Sequence, residues 1–350
     1  VNNITSRDGN HGPIVAGVST VASNAFMIMP SGNTETRDAG SGRGVLWTNN
    51  APSTKTLNKI EISTTGNATD FGDSKVSKGL PSACASSTRG IFSGGQPGAS
   101  PYYITDIEYV VVSSGGGGND FGDLNKGRLQ SIDARRGSAA GSNDSTRGLI
   151  AGGNTPGDGG ARKSIDFITM ASTGDSNDFG ELVQERFDFS GGMGNGVRAV
   201  FAGGYKQTSP AATFYKIIDT VNVQSTGNAT KFGELSATRG RTANTSNSIR
   251  GLNLGGGPAP DGRTNIIEFI TLSTEGNSQD FGDLLAPVLS LAACSSSTRA
   301  VQPGSAPSPG AVNTIQYVTI ATTGNAVDFG DMTVAQNGAS SISDVNGGLG

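Results

Sequence analysis

Ser63-Thr64-Thr65-Gly66-Asn67-Ala68-Thr69-Asp70-Phe71-Gly72-Asp73 decides the fold, because its closing Phe-Gly-acid phrase returns along the chain. The phrase recurs at Phe121-Gly122-Asp123, Phe179-Gly180-Glu181, Phe232-Gly233-Glu234, Phe281-Gly282-Asp283 and Phe329-Gly330-Asp331. Successive phenylalanines stand 50, 58, 53, 49 and 48 residues apart. A period near fifty means that one supersecondary unit is copied, as in a propeller, solenoid or array. A residue that recurs with the unit is expected to serve the scaffold before it serves chemistry.

The residues around each copy read as strands. After the acid comes a stretch of small residues, such as Leu80 to Ser87 or Leu289 to Ser297. Next is an arginine turn and a short apolar strand closed by Gly-Gly, as in Arg89-Gly90-Ile91-Phe92-Ser93-Gly94-Gly95 and Arg147-Gly148-Leu149-Ile150-Ala151-Gly152-Gly153. A third strand alternates apolar and polar residues, as in Ile107-Glu108-Tyr109-Val110 and Ile267-Glu268-Phe269-Ile270, which predicts a half-buried strand. Gly66-Asn67, Gly227-Asn228, Gly276-Asn277 and Gly324-Asn325 are expected to supply a tight hairpin turn into the fourth strand, which carries the Phe. Four antiparallel strands per unit make a propeller blade.

The expected fold is therefore all-β, a β-propeller of four-stranded antiparallel blades. Six blades are expected, with seven as the alternative. The first unit lacks a good first strand, whereas the last Phe-Gly-Asp is followed by an orphan stretch, Met332 to Ile342. That C-terminal strand is expected to complete the first blade and close the ring, leaving only protected edges. The domain reading is an N-terminal arm or connector over 1–42 and the propeller over 43–350.

The strand order resembles the kelch repeat, with Gly-Gly closing the second strand and aromatics in the third and fourth. Here the fourth-strand anchor is Phe where kelch repeats usually carry Trp; the sole tryptophan is Trp47. The wording of residues 63–73, together with the tandem Ala-Cys-Ser-Ser-Ser-Thr-Arg phrase ending at Arg299, is similar to repeat proteins of tailed phages of marine cyanobacteria. Phe26-Met27-Ile28-Met29-Pro30-Ser31-Gly32 resembles the lead-in phrase of phage fibre proteins. Its alternative reading is a strand packed on the propeller's flank. These resemblances imply a virion structural, tail-fibre or adhesion role on the particle surface, or otherwise an extracellular one. The implied partners are other virion proteins and host surface glycan or protein. The arm is the expected place for self-association.

Composition excludes several classes. A formal charge of −4 with no basic stripe speaks against nucleic acid as a partner. No apolar run approaches the ~18 residues of a membrane-spanning helix, so membrane insertion is not expected. Cys84 and Cys294 occupy matching repeat positions, so they are expected far apart, unpaired and buried. The chain begins at Val1 without a signal-peptide pattern, and is expected to be a processed product or a segment of something longer.

No catalytic residue, cofactor or metal is expected. The single histidine, His11, lies in the arm, which removes a Ser-His-Asp triad, a Cys-His pair and a histidine zinc site. In four units a base follows the acid by five residues: Asp73/Lys78, Asp123/Arg128, Glu181/Arg186 and Glu234/Arg239. These charges could ring a central channel, but a repeated position is read as scaffold, with the acid bound near the next blade's arginine. The acid pairs such as Asp70/Asp73 lack the compact loop that calcium needs.

Variation is the better pointer to function. The loops between second and third strands differ in every unit and gather on one face. Tyr102, Tyr103, Tyr205, Lys206, Phe214, Tyr215 and Arg263 are the candidate binding residues there. The favoured reading is a non-enzymatic module presenting these loops; the alternative is a glycosidase-like, carbohydrate-active enzyme with its site on the same face.

Overall fold

The computed structural model describes residues 42–48, 55–97, 104–124, 138–140, 146–153, 160–187, 189–207, 211–257, 262–289, 292–307, 310–336 and 340–344, with 138–140 and Ser190 described by backbone alone. The arm over 1–42 lies outside these residues except for Gly42. Every regular element described is a β-strand, and the strands form six small antiparallel blades arranged as a propeller.

From the inside outward, blade one comprises Ser340–Ser343, Arg43–Trp47, Thr56–Glu61 and Thr69–Asp73. Blade two comprises Ser82–Ala85, Arg89–Ser93, Asp106–Val111 and Asn119–Asp123, and blade three Ser138–Ala140, Arg147–Ala151, Arg162–Thr169 and Asn177–Arg186. Blade four holds Met193–Gly194, Arg198–Ala202, Ile217–Asn222 and Thr230–Glu234. Blade five holds Thr242–Ser246, Arg250–Leu254, Thr264–Thr271 and Gln279–Val288, with Phe189–Ser190 added in parallel along its inner strand. Blade six holds Cys294–Ser295, Arg299–Ser305, Val312–Thr319 and Val327–Gln336. The C-terminal strand pairs antiparallel with the first, Val45 opposite Ile342 and Trp47 opposite Ser340, so the chain's own end closes the ring. The closing strand is shorter than the orphan stretch of the sequence reading, because Met332 to Gln336 extends the fourth strand of blade six.

Each Phe of the repeated phrase is a bulge. Leu57 pairs with Gly72 and Asn58 with Asp70, which leaves Phe71 as the extra residue. The same slip occurs at Phe121, Phe179, Phe232, Phe281 and Phe329. A bulge re-aims its side chain, and all six rings are buried. In four blades the Phe meets the third-strand aromatic edge to face, as Tyr109 with Phe121 and Phe269 with Phe281. The second-strand arginine covers that aromatic, with Arg89, Arg147, Arg250 and Arg299 each less than 5 Å from the ring centroid.

The third and fourth strands form the expected hairpin, but its tight turn comes before Gly-Asn, where Thr64 N–H donates to Glu61 O at 3.1 Å. Gly66 N–H donates to Phe329 O at 2.8 Å, Ala68 N–H donates to Asp331 O at 2.8 Å, and Asp331 N–H donates to Asn67 Oδ1 at 3.0 Å. The backbone pair repeats at the other five junctions, from Gly116 on Phe71 to Gly324 on Phe281. The pair is thus a clasp that each blade extends onto the fourth strand of the blade before it. A Cβ on Gly72 would stand 2.6 Å from Gly116 O, and the other five glycines of the phrase face the same obstruction. The glycine is required by close approach of the neighbouring backbone, a constraint that sequence periodicity alone does not show.

The inner strands explain the small-residue stretches. Their described side chains are almost all buried and bond across blades: Thr245 Oγ1–H donates to Ser295 Oγ at 2.7 Å, and Ser343 Oγ–H to Ser295 O at 2.7 Å. Size is matched between neighbours. Ile342, Cys84, Met193 and Cys294 lie against Gly90, Gly148, Gly251 and Gly44, where an added Cβ would strike them. Both cysteines are free and buried, as the sequence implied, and burial pushes each thiol up to about 12.

Candidate functional site

The repeated bases do not pair with the acids of their own phrase. Each reaches into the third strand of the next blade. Arg186 Nη1 binds Asp219 Oδ2 at 2.8 Å, and Arg239 Nη2 binds Glu268, both with little or no exposure. Lys78 binds Glu108 in the same manner. At the next two junctions the sequence changes at both corresponding positions, to Val288 with Gln316 and to Gln336 with Asn58. Arg128 lies outside the described residues. The third-strand acid or amide also accepts a backbone N–H from the preceding blade, Val183 on Asp219 at 3.1 Å and Leu285 on Gln316 at 2.8 Å. Burying an ion pair is favoured only when its remaining polar atoms are satisfied. At Glu268 the other oxygen, Oε1, accepts Ser236 N–H at 3.1 Å, whereas at Asp219 the backbone bond falls on the same Oδ2 that binds Arg186. The described bases therefore sit inside blade junctions, a scaffold place as expected, but their partners are third-strand acids and not the acids of the phrase.

The acids of the phrase stand at the rim. Glu234 is flanked by Lys216 at 2.6 Å and Lys231 at 2.7 Å, and hydrogen bonds from the two lysines hold its carboxyl down at about 2. Among the described residues no group of three or more His, Cys, Asp or Glu could hold a metal ion.

The face bearing the second-to-third-strand loops is built on short bridges between neighbouring blades: Gly79 to Gln96, Phe187 to Tyr205, Gly240 to Gly257 and Leu289 to Ala306. They fix where each variable loop begins. Of the candidate residues, Tyr102 and Tyr103 lie outside the described residues. Tyr205 and Phe214 form a small hairpin (Tyr205–Lys206 with Thr213–Phe214) above blade four. The Tyr205 ring stacks on Phe214 at 4.8 Å and packs on Phe187 at 4.4 Å. It is only 7% exposed, so Tyr205 anchors the loop and offers little surface.

Lys206, Phe214, Tyr215 and Arg263 are half-buried. Lys206 forms an ion pair with Glu185, and that bond raises its pKa. Tyr215 is pinned through its backbone, donating to Gly204 O at 2.9 Å and accepting from Arg239 N–H at 3.0 Å. Arg263 lies apart from this group and donates to Ala306 O at 2.9 Å, tying the loops of blades five and six. The structure thus brings Tyr205, Lys206, Phe214 and Tyr215 together.

The sequence reading missed Phe187, Glu185 and Arg241, whose guanidinium lies 5.7 Å over the Tyr205 ring. The usable signal was Phe187 itself, an aromatic where sister junctions carry Gly79, Gly240 and Leu289. The arrangement suits contact and presentation: an aromatic anchor, a cation held by an acid, and a tyrosine at the margin. Compared with known proteins, the chain matches no family model and no curated protein.

Proposed function

We propose that the chain is a non-enzymatic structural or adhesion module of a phage particle, a kelch-like propeller that presents variable loops to a host surface glycan or protein, or to neighbouring virion proteins. The observation that carries this reading is how the sequence divides. The phrase that recurs is engaged in blade junctions, and the segments that vary most in length and wording are the connections between second and third strands. A closed ring with clasped rims suits a module that must hold its loops in fixed relation. The kelch-like Gly-Gly strands and the phage-like phrasing of residues 63–73 add the particle context.

Binding of the purified chain to host cells, and to particles lacking it, tests the proposal. Tyr215→Ala with Lys206→Ala should weaken binding several-fold while leaving the unfolding midpoint nearly unchanged. Tyr205→Ala is the wrong probe, because it removes a packed ring and would disturb the loop itself. Robust glycoside turnover by the wild-type chain would overturn the non-enzymatic reading.

A further inference from the structure

Three residues depart from the repeat at a single junction, between blades one and two. Trp47 stands where the other second strands carry Ser93, Ala151, Ala202, Leu254 and Pro303. Lys78 stands where the other junctions carry Arg128, Arg186, Arg239, Val288 and Gln336. Asp106 stands where the other third strands carry Thr56, Ser164, Ile217, Ile266 and Thr314. Repeated residues mark the scaffold, so three coincident departures ask for a local reason.

The three meet around one buried amine. Lys78 Nζ lies 3.0 Å from Asp106 Oδ2 and 2.9 Å from Glu108 Oε1, and the Lys78 and Glu108 side chains are fully buried. Asp106 and Glu108 are two apart on one strand and so share a face. Trp47 walls the site: its ring centroid is 5.4 Å from Nζ, and its Nε1–H donates to Lys78 O at 2.8 Å. Gly95 packs on the Lys78 stem, where a Cβ would stand 3.3 Å from Cδ. Glu108 Oε2 is held by the Lys75 N–H at 2.7 Å, and Lys75 Nζ faces the other Asp106 oxygen, Oδ1, at 3.5 Å.

At the two sister junctions described with an ion pair, one carboxylate meets one guanidinium, a pair that can only remain an ion pair. Here two carboxylates meet one buried primary amine. An amine held 3.0 Å from a carboxylate oxygen is also brought near the carbon that bears it, the proximity an attack needs, and a cation beside the opposing oxygen stabilises the charge that attack creates.

We propose that Lys78 and Asp106 condense into an intramolecular isopeptide bond, with Glu108 carrying the proton. Glu108 Oε1 takes one proton from the Lys78 ammonium. The freed Nζ lone pair attacks Asp106 Cγ, forming the C–N bond and placing negative charge on Oδ1, toward Lys75. Glu108 returns its proton and Nζ loses a second one, so that a Cγ–O bond breaks and that oxygen leaves as water. The ammonium's three protons are accounted for, two in the water and one on the amide nitrogen. Glu108 ends as it began, and no oxidant or activated donor is required. The bond would staple the exit of blade one to the third strand of blade two. Blade one is also the blade that takes its inner strand from the C-terminal stretch of the chain, so the staple reinforces the ring beside its closure.

Mass spectrometry of the full purified chain tests this directly. The wild type should weigh one water less than its sequence, and digestion should release a branched peptide joining the segments that carry Lys78 and Asp106. Lys78→Arg and Asp106→Ala should restore the full mass, and Glu108→Gln should leave both partners present but unjoined. The wild-type digest alone is decisive and does not depend on how the variants fold. Recovery of the two segments as separate, unmodified peptides overturns the proposal, as does a lost water without the branched peptide.

Discussion

The outer and inner halves of the blade junctions follow opposite rules. At the rim, six junctions use the same backbone bonds, and Phe-Gly-acid meets its clasp with almost no change in sequence. Deeper in, the contact runs between side chains and the residues change around the ring: Lys78 with Glu108, Arg186 with Asp219, Arg239 with Glu268, then Val288 and Gln316 at the corresponding positions of the next junction. A contact made by backbone constrains residue identity at every copy, because only glycine leaves room. A contact made by side chains constrains only the pair, so its members can change together.

The largest expected effect breaks one member of an inner pair. Arg239→Met leaves Glu268 buried without its cation and should cost about 3–5 kcal/mol, read from denaturant midpoints. Adding Glu268→Gln to Arg239→Val copies the neighbouring Val288 and Gln316 arrangement and should recover most of the loss. A double variant no more stable than Arg239→Val alone would show that the two positions are not coupled.

The rim gives the complementary test. Gly233→Ala drives a Cβ into the carbonyl of Gly276 and should cost about 3 kcal/mol, the upper range for overpacking. Gly227→Ala, in a clasp, has open space around its Cβ and should cost under about 1 kcal/mol. Equal losses would mean that the close approach is not what requires glycine in the phrase.

The inner strands add a pH dependence of smaller size. Burial holds the Cys84 and Cys294 thiols at about 12, against 9.0 for the free group. The unfolded chain loses these protons first, so their contribution is intact below pH 9 and declines as pH rises toward 12. Each cysteine adds a slope approaching about 1.4 kcal/mol per pH unit in that window. Cys84→Ala should remove one of the two increments from a stability profile measured across it.

Periodicity made the blades, their number and the closing strand legible, because each rests on strand alternation and on which unit lacks a strand. Contacts between units were not legible in the same way. Gly-Asn looked like local turn chemistry, since a sequence read alone cannot tell a bond within a hairpin from one to the neighbouring blade. The Asp73/Lys78 spacing pointed to a scaffold role but not to the partner, since the lysine's carboxylates, Asp106 and Glu108, lie roughly thirty residues further on. For the loop face, composition pointed to Tyr205 correctly as a loop residue but not to its burial against Phe187, which requires the bridge between two blades.

The finest test of the comparison uses the one imperfect clasp. At five junctions an Asn or Asp side chain accepts the N–H of the acid in the phrase, as Asn277 does from Glu234 at 3.0 Å and Asp175 from Asp123 at 2.9 Å. The sixth has Gly117 at that place, facing Asp73. A Cβ there would stand 3.1 Å from Asp73 O, a tight approach that the five sister junctions nonetheless accommodate. Gly117→Asn should therefore add one hydrogen bond and reduce the freedom of the unfolded chain, for a gain of about 1 kcal/mol in the unfolding free energy. If Asn instead destabilises, the carbonyl of Asp73 has not yielded, and the first junction's rim is built differently from the other five. That outcome would place the exception of the rim at the same junction as Trp47, Lys78 and Asp106.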